Sequence, residues 1–202
     1  EPFTFEGDYY KLYDAVTEPK PVQNPRPVVM NAGFSPAGRD FASNYADVMF
    51  IPVVGNDDLA GTVRSVKEQA RAKGREVVVW GNVHVASRDT EAELKRFLHH
   101  YIEERGDLDT AAKYYASLVG ADGATMEAWR RDTDMVKKIV AGAANETITG
   151  TPDQVVEQMA ELSEAGIDGL GMGFVDYNDG VAHFRDSILP VMRDAGLRTE
   201  KD

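Results

Sequence analysis

A twelve-residue segment, NAGFSPAGRDFA (residues 31–42), contains residue types and a spacing that suit a phosphate group. It follows an apolar run, and it places Ser35 at the expected N-cap of a helix and Pro36 at the first helical position. Gly33 and Gly38 permit a close backbone approach, so that free N–H groups and the positive end of the helix point at one spot. Position N3 is Gly38 rather than Glu or Gln, so no side chain closes a capping box over that spot. The alternative interpretation is an ordinary Ser-Pro helix start without a ligand.

The apolar segment at residues 77–86 carries a second group of polar side chains. Taken as a strand, it has one apolar face and one mixed face. The apolar face holds Val77, Val79, Val83 and Val85, and the mixed face holds Val78, Trp80, Asn82, His84 and Ala86. Because helices pack on an apolar face, the mixed face should look into a barrel, with Asn82 and His84 near the C-terminal end where barrel active sites lie. Without that context, a core histidine with satisfied hydrogen bonds is the simpler interpretation of His84.

The run GLGMGF (residues 169–174) is predicted to be the last strand. Gly171 and Gly173 share one of its faces, opposite Leu170, Met172 and Phe174. Two glycines on the inner face would leave room for a flat ligand, and tight packing against a neighbouring strand is the alternative. We predict a substrate pocket made of Asn82, His84, Gly173 and Phe174.

Other familiar site patterns are missing from the sequence. It has no P-loop, no GxSxG elbow and no cysteine. His99 and His100 lack the i, i+4 partner of a helical metal site, so we expect a solvated surface there and predict no metal. The sequence assigns no catalytic residue.

Strands and helices alternate from residue 28 onward. The apolar runs are VVMN, ADVMFI, VVVWGNVHVA and GLGMGF, and helix-like periodicity follows each of them. Two capping boxes and two glycines at expected helix C-termini support the helix boundaries: Thr90 with Glu93, Thr151 with Gln154, Gly74 and Gly166. The pattern is typical of parallel βα units, and about four units are present.

These elements suggest how the chain is divided. Residues 1–27 are predicted to be a hairpin and a proline-rich connector, 28–105 are βα units, 106–150 are an insertion that acts as a lid, and 151–202 are the last βα unit. A complete (β/α)8 barrel takes about 250 residues and eight units. We therefore expect an α/β fold that is the C-terminal half of a TIM barrel, with an insertion after the third strand of this half. A small open α/β sheet is the alternative.

Composition and charge exclude several classes of protein. The 202 residues include 34 acidic and 22 basic side chains, which give a net charge of −12, and no cysteine. An acidic surface opposes binding to nucleic acid or to anionic lipid. A membrane-spanning helix needs about 20 apolar residues, and no apolar run in the sequence approaches that length. The absence of cysteine fits a cytoplasmic location.

Three stretches together resemble the luciferase-like, flavin-dependent monooxygenases, in their C-terminal half. These are FEGDYYKL…AVTEPKPVQNPRP, NAGFSPAGRDFASNYADVMF and TPDQVVEQMAELSEAGIDGLGMGFVDYNDGVAHFRDSILPVMRDAGLR. The likeness is strongest to the dimethylsulfone monooxygenase type and weakest at residues 106–150. It implies that Asn31, Ala32, Gly33, Phe34 and Ser35 bind the phosphate of reduced FMN.

The resemblance also implies partners and a reaction. A separate flavin reductase would supply reduced FMN, and dioxygen would oxidise a small organosulfur substrate with cleavage of a C–S bond. Alkanesulfonate or pyrimidine substrates, a non-catalytic flavin-binding protein and a half-barrel that only associates with a partner chain remain alternatives. Because the chain begins at Glu1 inside a hairpin, we expect its N-terminal half-barrel in a separate chain or a missing segment, and a homo-oligomer.

Overall fold

The computed structural model describes residues 1–33, 35–53, 58–118, 133–142 and 145–199. The strands are β1 (Phe3–Glu6), β2 (Lys11–Ala15), β3 (Met30–Asn31), β4 (Val48–Pro52), β5 (Val78–Ser87), β6 (Glu146–Gly150) and β7 (Gly169–Gly173). The described α-helices are α1 (Pro36–Tyr45), α2 (Leu59–Arg71), α3 (Glu91–Leu98), α4 (Leu108–Leu118), α5 (Thr133–Gly142), α6 (Pro152–Glu164), α7 (Tyr177–His183) and α8 (Leu189–Asp194). A π-helical turn follows α3 at His99–Glu104, and another joins α7 to α8 at Phe184–Ile188. The chain is therefore an α/β protein.

The main sheet is parallel and follows chain order from β3 through β4 and β5 to β7. Asn82 of β5 pairs with Pro52 of β4 and with Gly171 of β7, so these two neighbours lie on opposite edges of β5. Four adjacent parallel strands, each followed by a helix, are the four βα units that the sequence predicts. The predicted hairpin is also confirmed, since β1 and β2 pair antiparallel.

One strand was not predicted. β6 lies inside the segment interpreted as an insertion, and it pairs with the last five residues of β5 in parallel register. Its sequence, ETITG, is too short and too polar to stand out as a strand, and pairing with the long β5 supplies the hydrogen bonds that form it. The predicted lid lies partly outside the described residues, at 119–132 and 143–144.

Local signals set the helix boundaries as expected. Thr90 Oγ1 accepts from the Glu93 backbone N–H at 3.3 Å at the start of α3. The Gln154 side chain accepts from the Thr151 backbone N–H at 2.9 Å at the start of α6. Gly74 has a φ of +69°, the left-handed conformation that favours glycine after a helix.

The core lies between the sheet and the helices. Val79 packs in one buried cluster with residues of α2, such as Val63 and Val66, and Val83 and Val85 pack in a second cluster with residues of α6. These valines belong to the predicted apolar face of β5, so its assignment to the helix-facing side is confirmed.

Asp47 connects the proline-rich segment to the start of the sheet. Its carboxylate accepts from both guanidinium nitrogens of Arg26, one of them at 2.9 Å, and from the Val29 backbone N–H at 2.9 Å. Arg75 contributes a longer contact of 3.4 Å. The hydrogen bonds from Arg26 and Val29 lower the pKa of Asp47 to about 2. Asp47 therefore fixes the chain immediately before β3.

No helix in the described part of the chain is long and apolar enough to cross a bilayer.

Candidate functional site

The loop after β3 brings the backbone N–H groups of a helix start to the C-terminal edge of the sheet. Ser35 is the N-cap of α1, and its Oγ accepts from the Gly38 backbone N–H at 3.1 Å. Asn31 Oδ1 accepts from the Gly33 backbone N–H at 2.8 Å, which folds the loop back over the strand end. The Ser35 hydroxyl proton is not used in the cap, so it can donate to an anion.

Two glycines allow this loop to pack against the first turn of α1. A Cβ built on Gly38 would lie 2.6 Å from the carbonyl carbon and oxygen of Gly33. A Cβ on Gly33 would lie 2.9 Å from the Gly38 Cα. Because these are backbone atoms, no side-chain movement could relieve either clash. The close approach predicted for Gly33 and Gly38 is confirmed.

The chemistry of this loop fits a phosphate. The first N–H groups of a helix have no acceptor within the helix, and the helix dipole favours a negative charge there. Ser35 is exposed, and Pro36 leaves the first turn without a competing acidic side chain. Ala32 is exposed beside it, and Phe34 lies outside the described residues.

The mixed face of β5 looks away from α2 and α6. Phe50 of β4 and Trp80, Asn82 and His84 of β5 lie on this inner face, opposite the valines packed against α2 and α6. Asn82 Nδ2 donates to Asn145 Oδ1 at 2.5 Å, and Asn145 Nδ2 donates to the Gly142 carbonyl oxygen at 3.0 Å. Asn145, at the start of β6, was missed because no local signal links it to a residue 63 positions earlier.

His84 is the polar side chain of this face that lacks a partner. Its Nε2 is buried and has no hydrogen-bond partner among the described residues. Burial lowers the pKa of His84, so the ring is neutral near pH 7. The interpretation of His84 as a core histidine with satisfied hydrogen bonds therefore does not hold for Nε2.

The glycines of β7 make room for side chains of neighbouring strands. A Cβ on Gly171 would lie 3.3 Å from the Phe50 ring, and one on Gly173 would lie 3.2 Å from His84 Nδ1. A Cβ on Gly169 would lie 2.6 Å from the Trp80 indole. Side chains of the neighbouring strands lie against these glycines, which corresponds to tight packing between strands.

Phe174 does not join the other predicted pocket residues. It packs with the helix-facing cluster of Val83 and Val85, and its ring centroid lies 6.4 Å from that of Phe184. The reason is strand alternation, since Phe174 follows Gly173 and points to the opposite side of the sheet. The fold brings Asn82, His84 and Gly173 together. The predicted pocket role of Phe174 is corrected, because Phe174 packs in the core.

A cavity of about 380 Å³ borders His84 at the C-terminal end of β5. Its other walls include Tyr101 of the first π-helical turn, Val140 of α5 and Val175 after β7. Tyr101 counts in the sequence only as part of an apolar helix stripe, and the fold is what carries it to His84. In the described part of the chain, no group of three His, Asp or Glu residues could hold a metal ion.

Comparison with known proteins gives one family. The model of the luciferase-like monooxygenase family matches residues 1–169. The chain is 30% identical over 197 residues to an FMNH2-dependent dimethylsulfone monooxygenase of Pseudomonas putida, covering 95% of this chain and 53% of the relative. It is 25% identical over 206 residues to a sulfoquinovose monooxygenase of Agrobacterium fabrum (strain C58), covering 95% of this chain and 54% of the relative.

Solved structures show the same fold. DmoA from Hyphomicrobium sulfonivorans superimposes with a TM-score of 0.83 at 21% identity, covering 98% of this chain and 47% of DmoA. The long-chain alkane monooxygenase LadA superimposes with a TM-score of 0.81 at 21% identity, covering 98% of this chain and 48% of LadA. The chain therefore spans about half the length of the proteins that it matches.

Proposed function

Because the chain belongs to the luciferase-like monooxygenase family, we propose that it forms part of an FMN-dependent monooxygenase and that residues 31–35 bind the phosphate of reduced FMN. The observation that carries the proposal is the packing of Gly33 against Gly38, which holds the loop and the helix start in one position. The relatives named as FMNH2-dependent support the identity of the cofactor.

The residues of this chain bind, orient and exclude water. The Ser35 hydroxyl and the Ala37 N–H, which is the first-turn N–H that the cap does not use, would donate hydrogen bonds to the phosphate. Phe50 contributes apolar surface to the inner face, which removes water from the neighbourhood of the reacting groups. Asn82, held by Asn145, and the neutral His84 offer polar atoms for orienting a substrate. Bound reduced FMN would supply the two electrons for the activation of dioxygen.

The proposed substrate is a small organosulfur compound such as dimethylsulfone. One oxygen atom of dioxygen enters a methyl carbon, the C–S bond of that carbon breaks, and an aldehyde and a sulfinate leave. The second oxygen atom is released as water, and reduced FMN is oxidised. Similarity to two dimethylsulfone monooxygenases supports this choice over the alkanesulfonate and pyrimidine alternatives.

Proposed partners follow from the same chemistry. A separate reductase would deliver reduced FMN, and the cytoplasm, where reduced nicotinamides are available to such a reductase, is the proposed location. A homo-oligomer is proposed as well.

We further propose that the chain is the C-terminal half of an eight-stranded barrel. Among the described residues β3 pairs only with β4 and β7 only with β5, so each end of the row has an unpaired edge. Beside β7 a groove of about 670 Å³ is lined by Met159, Leu162, Met172, Phe184, Leu189 and Met192, together with polar residues such as Ser163 and Asp168. Open strand edges of this kind require cover, and the next βα unit of a barrel would provide it. Relatives of about twice the length support this proposal.

The half-barrel predicts that this chain alone exposes apolar surface. We expect it to bind a hydrophobic dye strongly and to aggregate, and we expect a polypeptide with four further βα units to do neither. The measurement is dye fluorescence together with light scattering for both proteins at equal concentration. A chain that alone is monomeric, melts cooperatively and does not bind dye would instead support the open-sheet alternative.

Ser35→Ala should weaken the binding of FMN about tenfold to a hundredfold, because a hydrogen bond to a charged group contributes about 1.5–3 kcal/mol. The measurement is a fluorescence titration of oxidised FMN, or an anaerobic titration of reduced FMN, into the full-length protein. Part of the effect is loss of the helix cap, which costs about 1 kcal/mol of stability.

Thr90→Ala is the matched control for the cap. Thr90 caps α3 in the same way but lies far from the phosphate loop in the chain, so this variant should lose similar stability and keep its FMN affinity. If Ser35→Ala and Thr90→Ala bind FMN equally well, Ser35 does not contact the phosphate.

A further inference from the structure

The open cavity beside His84 is lined by elements that are distant in sequence. His84 comes from β5, Tyr101 from the π-helical turn at His99–Glu104, Ala141 from the end of α5, and Val175 from the segment after β7. Its volume of about 380 Å³ lies at the lower end of the about 300–1,000 Å³ typical of ligand pockets. The π-helical turn is a rare backbone form that is frequent at functional sites, and here it carries Tyr101 to the cavity.

The hydroxyl of Tyr101 is poorly satisfied where it lies. Tyr101 is 9% exposed, and its hydroxyl reaches the Ala141 carbonyl oxygen only at 3.4 Å. Burial raises the pKa of Tyr101 to about 12, so the hydroxyl keeps its proton and remains a donor. A donor with so long a bond can turn to a better acceptor in the cavity.

The walls around this donor are mostly apolar and carry no net charge. Val140, Ala141 and Val175 supply apolar surface, and His84 is neutral. Arg105 and Asp107 are the charged residues among those that line the cavity, both are exposed, and their charges are opposite. An anion would be attracted by Arg105 and repelled by Asp107, whereas an uncharged ligand needs neither charge.

We propose that this cavity binds an uncharged sulfone, with Tyr101 donating a hydrogen bond to a sulfonyl oxygen and the apolar walls holding the alkyl groups. This proposal rests on the proposed function for its ligand class. Tyr101 then distinguishes a sulfone from the corresponding sulfide, which has the same alkyl groups and no oxygen. The absence of net charge on the walls favours a sulfone over a sulfonate.

The test is a binding measurement in which no turnover occurs. Diethyl sulfone, diethyl sulfide and ethanesulfonate are titrated by ligand-observed NMR into the full-length protein, first without flavin and then with oxidised FMN. Tyr101→Phe should weaken the binding of diethyl sulfone about threefold to tenfold, which is the effect of one neutral hydrogen bond. The same variant should change the affinity for diethyl sulfide by less than about twofold. Tyr114→Phe, which alters an exposed tyrosine of α4, is the matched control and should leave the affinity for both ligands unchanged.

A second variant keeps the test decisive. Val175 is 45% exposed at the edge of the cavity, so Val175→Trp should fold. Its larger side chain should obstruct the cavity and weaken the binding of both the sulfone and the sulfide. Equal losses for both ligands in Tyr101→Phe, unchanged sulfone binding in either variant, or tighter binding of ethanesulfonate than of the sulfone would overturn the proposal. The FMN titration of Ser35→Ala is independent of Tyr101, so failure of the flavin site and failure of the sulfone site can be told apart.

Discussion

Replacing Gly38 by alanine should reduce the affinity for FMN by about two orders of magnitude or more. The new Cβ would lie 2.6 Å from the carbonyl carbon and oxygen of Gly33, so the loop and the first turn of α1 would have to separate. Separation moves both the Ser35 hydroxyl and the Ala37 N–H away from the phosphate, and each hydrogen bond to a charged group contributes about 1.5–3 kcal/mol. The effect should therefore exceed that of Ser35→Ala, which removes one donor.

The measurement is an FMN titration of the folded variant, with its free energy of unfolding measured alongside. Gly169→Ala is the matched control, because its Cβ would lie 2.6 Å from the Trp80 indole at the other end of the strands. That variant should lose stability and keep its FMN affinity. A folded Gly38→Ala protein that binds FMN within about threefold of the wild type would contradict the phosphate loop, because a clash with backbone atoms must move the N–H donors.

The packing of the loop after β3 against the start of α1 was predictable because its determinants are local. A Ser-Pro helix start and the glycines at positions 33 and 38 lie within six residues of each other, and the structure uses them as the spacing indicates. The faces of β5 were predictable for the same reason, since alternation along one strand separates Val79 and Val83 from Asn82 and His84.

The pocket was less predictable because its determinants are distant in the chain. Asn145 contacts Asn82 through the pairing of β5 with β6. Tyr101 lines the same cavity as His84 because of the course of the chain after α3. The glycines of β7 raised the same difficulty. Glycines at these positions leave space that either a ligand or a neighbouring side chain could fill. Only the tertiary structure shows that Phe50 and His84 pack against them. Phe174 could have been excluded from the pocket by strand alternation alone.

Replacing Asp47 by alanine should lower the free energy of unfolding by about 2–4 kcal/mol at pH 7. The change leaves the partly buried Val29 N–H without its acceptor, which costs up to about 1–3 kcal/mol, and Arg26 keeps its bonds to the carbonyl oxygens of Pro27 and Tyr45. Part of the Arg26 contribution is screened by water, since Asp47 is 36% exposed, which keeps the estimate below the sum of its contacts. Only two residues of β3 pair with β4, so a looser Val29 should also weaken the loop that follows and lower the FMN affinity.

The stability difference between the wild type and Asp47→Asn should depend on pH in one direction. The folded-state pKa of Asp47 is about 2, below its ordinary value of 3.8, so its charge stabilises the fold fully above about pH 4. That contribution is lost as the pH falls from about 4 towards 2, where the carboxylate takes up its proton. Urea unfolding at several pH values between 7 and 3 measures the difference. Glu18→Gln is the control, because Glu18 forms an exposed ion pair of 3.7 Å with Lys20. Its free energy of unfolding should stay within about 0.5 kcal/mol of the wild-type value throughout this pH range. A difference between wild type and Asp47→Asn that is the same at pH 7 and pH 3 would mean that the charge of Asp47 does not hold β3 against β4.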